Sequence, residues 1–451
     1  MNSVNKYSTK SRKYAIESRK DSEADRLKFM ITNMATNKAY LYAINKSEDD
    51  NSEQILKNFR ERFTWYRKGW RSIPKEAIKK GWFGEKFSKN VYPPLCIDLE
   101  LAAVCDLACP HCYRQYIATP DKIMDMKLAL KLIDQAADLG VPSMKFNWRG
   151  EPLLNPQIPD IIDYAKQKGI LETIINTNAT KLDNKMAKKL IDAGLDLMTY
   201  SFDGGTKETY ELMRPGRFEK NSFDRVYSNI RNFSEIRNSL GSVFPRTKIQ
   251  MVLTEDSFDE QDSFYSLFDD CVDDISVKQY TERGGKLTDL NDDLFEQANN
   301  FLSNNGISPD AQIMRDADES LYVSTGRLPC EQPYQRLLVT YDGKVSMCCY
   351  DWGSMHPVGY VDDLAIRLGE SELEKIKNKS DNKDKGFDMM KLEMPPKFNV
   401  PEPIINTLQE IWIGKEIDRV RHSHVEGKLE EITICKGCPF KETYQWKKVD
   451  L

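Results

Sequence analysis

From Leu95 onward the chain alternates short apolar runs with stretches whose apolar residues recur at helical spacing. Those two periods separate strand from amphipathic helix. Leu95–Leu101, Ser143–Trp148, Leu171–Asn176, Asp196–Ser201, Thr247–Leu253 and Asp274–Gln279 read as strands. Ile123–Leu139, Ile158–Gln167, Asn184–Ala193, Ser222–Arg237 and Glu260–Cys271 read as the helices between them. Strands that alternate with helices call for a parallel sheet with right-handed crossovers. Six such units fall short of a closed eight-stranded barrel, so the pattern predicts an α/β fold built on a partial (β/α)6 TIM-like barrel. In such barrels the chemistry sits at the carboxyl ends of the strands.

The flanks differ. Residues 1–20 form a charged tail, and from Ser22 to about Lys89 the pattern is helical and mostly polar. Arg60–Trp82 interleaves bases with aromatics, a mixture that serves nucleic-acid or anionic-ligand contact in some proteins. No groove-binding motif accompanies it, so we read a helical layer that packs its Trp residues on the next domain and leaves its Lys residues in water. Beyond the last strand a polar linker runs to 325. Arg336–Thr340 and Lys344–Cys348 then flank Tyr341-Asp342-Gly343, a hairpin signal. Ile405–His424 reads as helical. The expected organisation is a tail and helical extension over 1–92, the barrel over 93–285, a linker over 286–325, and a small α+β domain over 326–451 with a charged surface insertion at 367–403.

Composition narrows the partners. Lys and Arg number 65 against 70 Asp and Glu, a formal charge of −5, which gives no bias towards nucleic acid or an anionic membrane. Apolar residues make up 40%, too many for a disordered chain. No apolar run approaches the ~18 residues of a membrane span, and the basic start is not followed by a signal-peptide apolar region. A cytoplasmic protein is expected, without membrane or nucleic-acid partners.

Ten cysteines stand at 96, 105, 109, 112, 271, 330, 348, 349, 435 and 438. In a reducing compartment clustered cysteines bind metal or do redox chemistry rather than form disulfides. Cys96 and Cys271 are isolated and read as core residues. Cys105-Asp-Leu-Ala-Cys109-Pro-His-Cys112 has the spacing C-x3-C-x2-C just beyond the first strand, on the catalytic face. Three thiolates on one short loop hold three irons of a cubane and leave the fourth open. Zinc wants four ligands, and His111 adjoins Cys112 too closely for a tetrahedral chelate.

The trio Cys105, Cys109 and Cys112 resembles the signature of radical S-adenosylmethionine (SAM) enzymes, whose catalytic domain is a six-unit partial barrel. The resemblance covers roughly residues 93–280. Trp148-Arg149-Gly150-Glu151-Pro152 looks like the family's GGEP motif, with Arg149 in place of the first Gly, which implies that Gly150 and Glu151 receive the SAM amino group. Thr177-Asn178-Ala179-Thr180 resembles TNGT, with Ala179 for Gly and Asn178 near the ribose. Ser201-Phe202-Asp203-Gly204 resembles SxDG, with Ser201 a ribose or carboxylate contact. Arg214 matches the arginine that pairs with the SAM carboxylate, and His111 takes the place of the ring-bearing residue beside the adenine. A carboxylate suits an ammonium and a forked guanidinium suits a carboxylate. Taken singly, Glu151 reads equally as a cap of the turn after Pro152, and Arg214 as a surface base.

Cys330, Cys348 or Cys349, Cys435 and Cys438 form a second set, in which the hairpin is bracketed by cysteines and Cys435-Lys-Gly-Cys438 is a CxxC clamp. Alone, it suits a [4Fe–4S] cluster or a structural zinc alike. Behind a radical SAM domain it resembles the twitch domain, the shortened SPASM module, which implies one auxiliary [4Fe–4S] cluster; we favour Cys348 over Cys349. The resemblance further implies a catalytic [4Fe–4S] cluster completed by SAM, an electron donor like flavodoxin or ferredoxin, and a 5′-deoxyadenosyl radical that abstracts hydrogen from substrate. An auxiliary cluster on the same side would accept an electron, giving two-electron dehydrogenation of a small polar metabolite such as a sugar or aminocyclitol. The same architecture serves maturases that oxidise or cross-link a ribosomal peptide, with residues 22–90 binding its leader. Asp203, Arg149 and Tyr113 are candidates for handling the substrate proton. A glycyl-radical activase lacks the hairpin and CxxC tail, and a zinc-bound interaction protein is the non-enzymatic rival.

Overall fold

The strands form where the periodicity places them. The structure, a computed structural model, describes residues 24–48, 51–112, 114, 119–220, 222–254, 256–279, 292–307, 311–315, 320–368, 401–436, 438, 440 and 443–449. β1 (Cys96–Leu99), β2 (Ser143–Lys145), β3 (Glu172–Thr177), β4 (Leu197–Ser201), β5 (Arg246–Leu253) and β6 (Asp274–Gln279) pair in that order, each parallel to the next. Helices Met126–Asp138, Ile158–Gln167, Asn184–Asp192, Phe223–Ser239 and Gln261–Phe268 lie between them. Two of these start at a carboxylate cap: Asp125 accepts from the Lys127 amide and Asp183 from the Met186 amide. Lys207–Met213 adds a short helix that two turns of sequence were too brief to signal.

The two faces of this sheet differ in kind. Ile97, Leu99, Met144, Ile175, Met198, Tyr200, Ile249, Met251 and Val277 are each at most 1% exposed and pack with the helices in one core. The other face, followed through paired residues, sets Asp98 beside Lys145, Asn176 beside Thr199, Thr199 beside Lys248, Ser201 beside Gln250, and Gln250 beside Ser276. A parallel sheet packed on both sides reads as apolar on both. Here the other face carries polar residues at most of these positions, with the apolar Ile174 and Leu197 among them.

The C-terminal hairpin extends the edge of this sheet. β7 (Ile313–Arg315) and β8 (Leu321–Arg327) pair with the last strand, β12 (Tyr444–Lys448), in a separate three-stranded sheet. β9 (Arg336–Val339), β10 (Lys344–Ser346) and β11 (Gly359–Tyr360) extend the edge of β1. β9 runs parallel to β1, Cys96 opposite Arg336 and Leu99 opposite Val339. The result is a nine-stranded sheet in the order β11-β10-β9-β1-β2-β3-β4-β5-β6.

The stretch read as a linker also needs correction. It holds the helix Asp292–Asn304, β7 and part of β8. Ala298, Leu302, Ile313, Leu321 and Val323 pack with Val449 in a small core, and the many Asp and Asn residues around them hide the pattern. The segment read as one helix to His424 is two, Leu408–Trp412 and Lys415–Glu426. They part at Gly414, where a Cβ would meet the Glu410 carbonyl at 2.6 Å. Of the charged insertion, residues 369–400 lie outside the described residues.

The N-terminal layer seals one end of the strands. Helices Lys38–Asn45 and Ser52–Lys80 pack a second core with Leu95, Leu171 and Phe244, residues that precede β1, β3 and β5. Asn37 Nδ2 donates to Asp196 just before β4 at 2.6 Å, while Arg26 Nε (2.8 Å) and Tyr66 Oη (3.1 Å) donate to Glu172 at the start of β3. Phe59, Phe63 and Tyr66 are buried, as the packing reading requires, and Trp70 lies under the Arg336 guanidinium at 5.0 Å; Trp65, 42% exposed, is the exception. No described helix is long and apolar enough to cross a membrane.

A pH effect follows from His356, 3% exposed in the loop between β10 and β11. Burial, with Arg419 adding to it, pulls its imidazole down to about 4. The unfolded chain takes up the proton near 6.5 and the native chain only near 4, so this stability is present above pH 6.5 and lost as pH falls to 4. The loss reaches up to about 3 kcal/mol for the printed displacement. His356→Asn should flatten urea-denaturation stability between pH 6.5 and 4; an unchanged slope contradicts the assignment.

Candidate functional site

The loop after β1 is gripped from two sides. On one, Gly150 presses into it so closely that a Cβ would stand 2.3 Å from the Ala102 carbonyl and 2.4 Å from that of Val104. The Glu151 amide donates to Val104 O at 2.8 Å. On the other, the Ala108 amide donates to Pro215 O and the Arg217 amide to Asp106 O, both at 2.8 Å, and Leu107 bridges Gly216. The loop thus presents Cys105, Cys109 and Cys112 between the turn after β2 and the Arg214-Pro215-Gly216 turn.

Glu151 joins two of the motifs. Its buried carboxylate accepts from the Leu153 amide (3.0 Å), from Thr177 Oγ1 (2.6 Å) and from the Asn178 amide (2.7 Å). Burial outweighs these bonds and pushes it up to about 7. The capping role is therefore real, and the same side chain clamps Thr177-Asn178-Ala179-Thr180 to the loop. Asn178 Nδ2 donates to Asp106 at 2.8 Å and lies 4.0 Å from Cys105 Sγ; Thr180 Oγ1 donates to the other Asp106 oxygen at 2.6 Å. Asp106, inside the cysteine motif, is the residue that sequence reasoning passed over. Ala179, where TNGT has glycine, keeps a left-handed φ of 59°.

The third group closes the site. Asp203 is fully buried; its Oδ1 accepts from the Val252 amide at 2.7 Å, and its Oδ2 lies 2.7 Å from Arg214 Nη2 and 3.2 Å from His111 Nε2. Burial opposes the Asp203 charge, but Arg214 and His111 hold it below the usual carboxylate range. Ser201 ends β4 on the polar face, opposite Gln250. Arg214 Nε and His111 Nδ1 are buried and meet no partner among the described residues. Two orphaned nitrogens beside three cysteines are what a bound carboxylate and ring would complete, so the residues fit a cluster with SAM on its open iron. Burial, partly offset by Arg214, pushes the Cys109 thiol up to about 12, and burial with Glu151 raises Cys105 as well. Thiols this reluctant to ionise become ligands only as a metal displaces their protons.

Of the candidates for the substrate proton, Arg149 is committed elsewhere. Its Nε and Nη2 donate to both Glu100 oxygens at 2.6 Å, and Nη1 donates to Trp352 O at 3.2 Å. It is a strut between β1 and the loop after β10, which accounts for its place in the motif. Asp203 is held by its own partners, and Tyr113 lies outside the described residues.

Two of the second cysteine set bracket the C-terminal hairpin. Cys330 precedes β9 and Cys348 follows the returning β10, so both flank Arg336, the partner of Cys96 at the start of β1. The loop after β10 also meets the turn after β2, where Trp148 Nε1 donates to Cys349 O at 3.5 Å. Burial, then the charges of Cys349, Cys330, Cys438 and Cys435, push the Cys348 thiol well above its usual range. His424 and Arg327 border them, and neither carried a motif signal. The Cys330 amide donates to His424 Nδ1 at 2.9 Å, and Nε2 of that ring lies 3.6 Å from Cys435 Sγ. Among the described residues no three His, Cys, Asp or Glu side chains are arranged to hold a single metal ion. A cubane spreads its thiolates over separate irons, so its ligands need not meet at one point.

Comparison with known proteins fits this geometry: the radical SAM superfamily profile matches residues 99–261, the span that supplies all three motif turns and the cysteine loop. The chain carries a radical SAM domain. Fe-coproporphyrin III synthase of Methanosarcina barkeri is 31% identical over 186 residues, 39% of this chain and 44% of that protein. GTP 3′,8-cyclase of Chlorobaculum tepidum is 31% identical over 148 residues, 32% of this chain and 43% of that protein. The chain thus spans under half the length of these curated relatives. Among solved structures, BtrN in complex with AdoMet and 2-DOIA is 15% identical, covering 76% of this chain and 92% of that chain at a TM-score of 0.41.

Proposed function

We propose that this chain is a radical SAM oxidoreductase that removes two electrons from a small polar metabolite held against the polar face of the sheet. When bound, a [4Fe–4S] cluster on Cys105, Cys109 and Cys112 with SAM supplies a 5′-deoxyadenosyl radical able to abstract hydrogen. The observation that supports the reading is the sheet face opposite the helices, where Lys145, Asn176, Ser201, Lys248 and Gln250 carry polar groups and are only half-buried. A hydroxyl-rich molecule finds donors and acceptors there, whereas an apolar one leaves them unpaired.

The chain's own residues divide the work. Arg214 and His111, oriented by Asp203, offer nitrogens to the SAM carboxylate and adenine; Gly150 and Glu151 shape the turn that meets the amino group. Cys330, Cys348, Cys435 and Cys438 would hold one auxiliary [4Fe–4S] cluster, and a flavodoxin- or ferredoxin-like protein of the cytoplasm would supply electrons. The N-terminal layer packs on Leu95, Leu171 and Phe244, which precede β1, β3 and β5, whereas the cysteine loop follows β1.

The test is anaerobic reconstitution, followed by SAM, dithionite and a panel of sugars and aminocyclitols. We expect equimolar 5′-deoxyadenosine and a product lighter by two hydrogens. 5′-Deoxyadenosine without any oxidised product in the panel, joined by oxidation of a peptide, would overturn the metabolite reading. Zinc in place of iron would overturn the enzymatic one.

A further inference from the structure

We propose that Arg327 and His424 set the reduction potential of the auxiliary cluster, Arg327 by its charge and His424 by an N–H···S hydrogen bond to Cys435. This rests on the reading that Cys330, Cys348, Cys435 and Cys438 hold that cluster. His424 sits in the last turn of Lys415–Glu426 and is 1% exposed. Its Nδ1 accepts from the Cys330 amide at 2.9 Å, so it bears no hydrogen, and the ring proton belongs to Nε2. Nε2 lies 3.6 Å from Cys435 Sγ, a distance at which N–H donates to sulfur. One imidazole thereby ties the backbone of one cysteine to the sulfur of another.

Arg327, the last residue of β8, is fixed from two directions. Its guanidinium lies over the Tyr444 ring at 4.0 Å, and its Nη2 donates to the Cys435 carbonyl at 3.0 Å. Tyr444 Oη in turn donates to the Cys438 carbonyl at 2.6 Å. Arg327 Nε and Nη1 are buried without a hydrogen-bond partner among the described residues, and the Arg327 charge bears on the Cys435 and Cys438 thiols. Sulfurs of a four-thiolate cubane would supply those acceptors. Such a cluster becomes more negative when reduced, so a fixed cation and a donor aimed at sulfur favour the reduced form and raise the potential.

The experiment uses the full chain carrying Cys105→Ala, Cys109→Ala and Cys112→Ala, which leaves only the auxiliary site, titrated anaerobically and followed by electron paramagnetic resonance. About four irons per chain are expected in this parent. Arg327→Met should lower the reduced fraction at fixed poise at least tenfold, equivalent to about 59 mV for one electron, while Arg327→Lys stays near the parent. His424→Leu should lower it several-fold, and His424→Gln, which keeps an N–H, should recover part of that loss. Parent potential in both Arg327→Met and His424→Leu, with iron intact, overturns the proposal and leaves the cluster reading standing. A parent without iron overturns the cluster reading instead. Should either variant lose its iron, the parent labelled with nitrogen-15 histidine or arginine decides: a weak nitrogen coupling to the reduced cluster is expected from each, and no coupling overturns that residue's role.

Discussion

Cys109→Ala is expected to end 5′-deoxyadenosine formation and, on the two-cluster proposal, to halve the iron from about eight to about four per chain. Cys109 is 8% exposed and lies in reach of the Arg214 charge, at the centre of a loop whose two sides are backbone-bonded to other turns. No neighbouring thiol on the loop is left to take its place, because the proposal commits Cys105 and Cys112 to the other two irons. Losing one of three leaves a cubane with two protein bonds, which reconstitution cannot hold. Colorimetric iron and chromatography of the SAM products check both halves. Full iron with full 5′-deoxyadenosine yield would remove Cys109 from the cluster.

The largest expected stability effect belongs to Arg149. Glu100 is fully buried and receives two Arg149 hydrogen bonds, with one more from the Tyr341 amide at 3.2 Å. Arg149→Met removes the cation and strands the carboxylate, at a cost of about 3–5 kcal/mol. Adding Glu100→Gln to that variant removes the stranded charge and should restore most of the loss, since the two positions are directly coupled. Urea denaturation of the three proteins measures it. A cost below about 1 kcal/mol for Arg149→Met would mean that the pair is not the strut between the β1 end and Trp352.

These effects show where the sequence was readable. Ile158–Gln167 and Asp274–Gln279 were bounded to the residue, because apolar faces packed on one core leave a strict period. The cysteine loop and its three partner turns were legible because each follows a strand in order, and order survives when single residues change, as at Arg149 and Ala179. What stayed hidden was pairing across long separations. Nothing local in Arg336–Val339 says that its neighbour is β1, nor does Asp106 announce that Thr180 and Asn178 will bind it. His424 and Arg327 were equally silent, since a single buried His or Arg has no spacing. The 292–304 helix was missed for a different reason: its five apolar residues stand among eight polar ones inside a longer polar stretch.

The parallel pairing of β1 with β9 also bears on how the molecule is made. Asp98 and its partner Arg336 are separated by 238 positions. At ordinary elongation rates, on the order of 5–20 residues per second, β1 leaves the ribosome tens of seconds before the strand that covers its edge. Throughout that interval an unpaired row of amides and carbonyls and an uncompensated Asp98 carboxylate remain open to any passing strand. Chains truncated before Arg336 should therefore associate through that edge, and the nascent protein has reason to depend on a chaperone until its final quarter emerges.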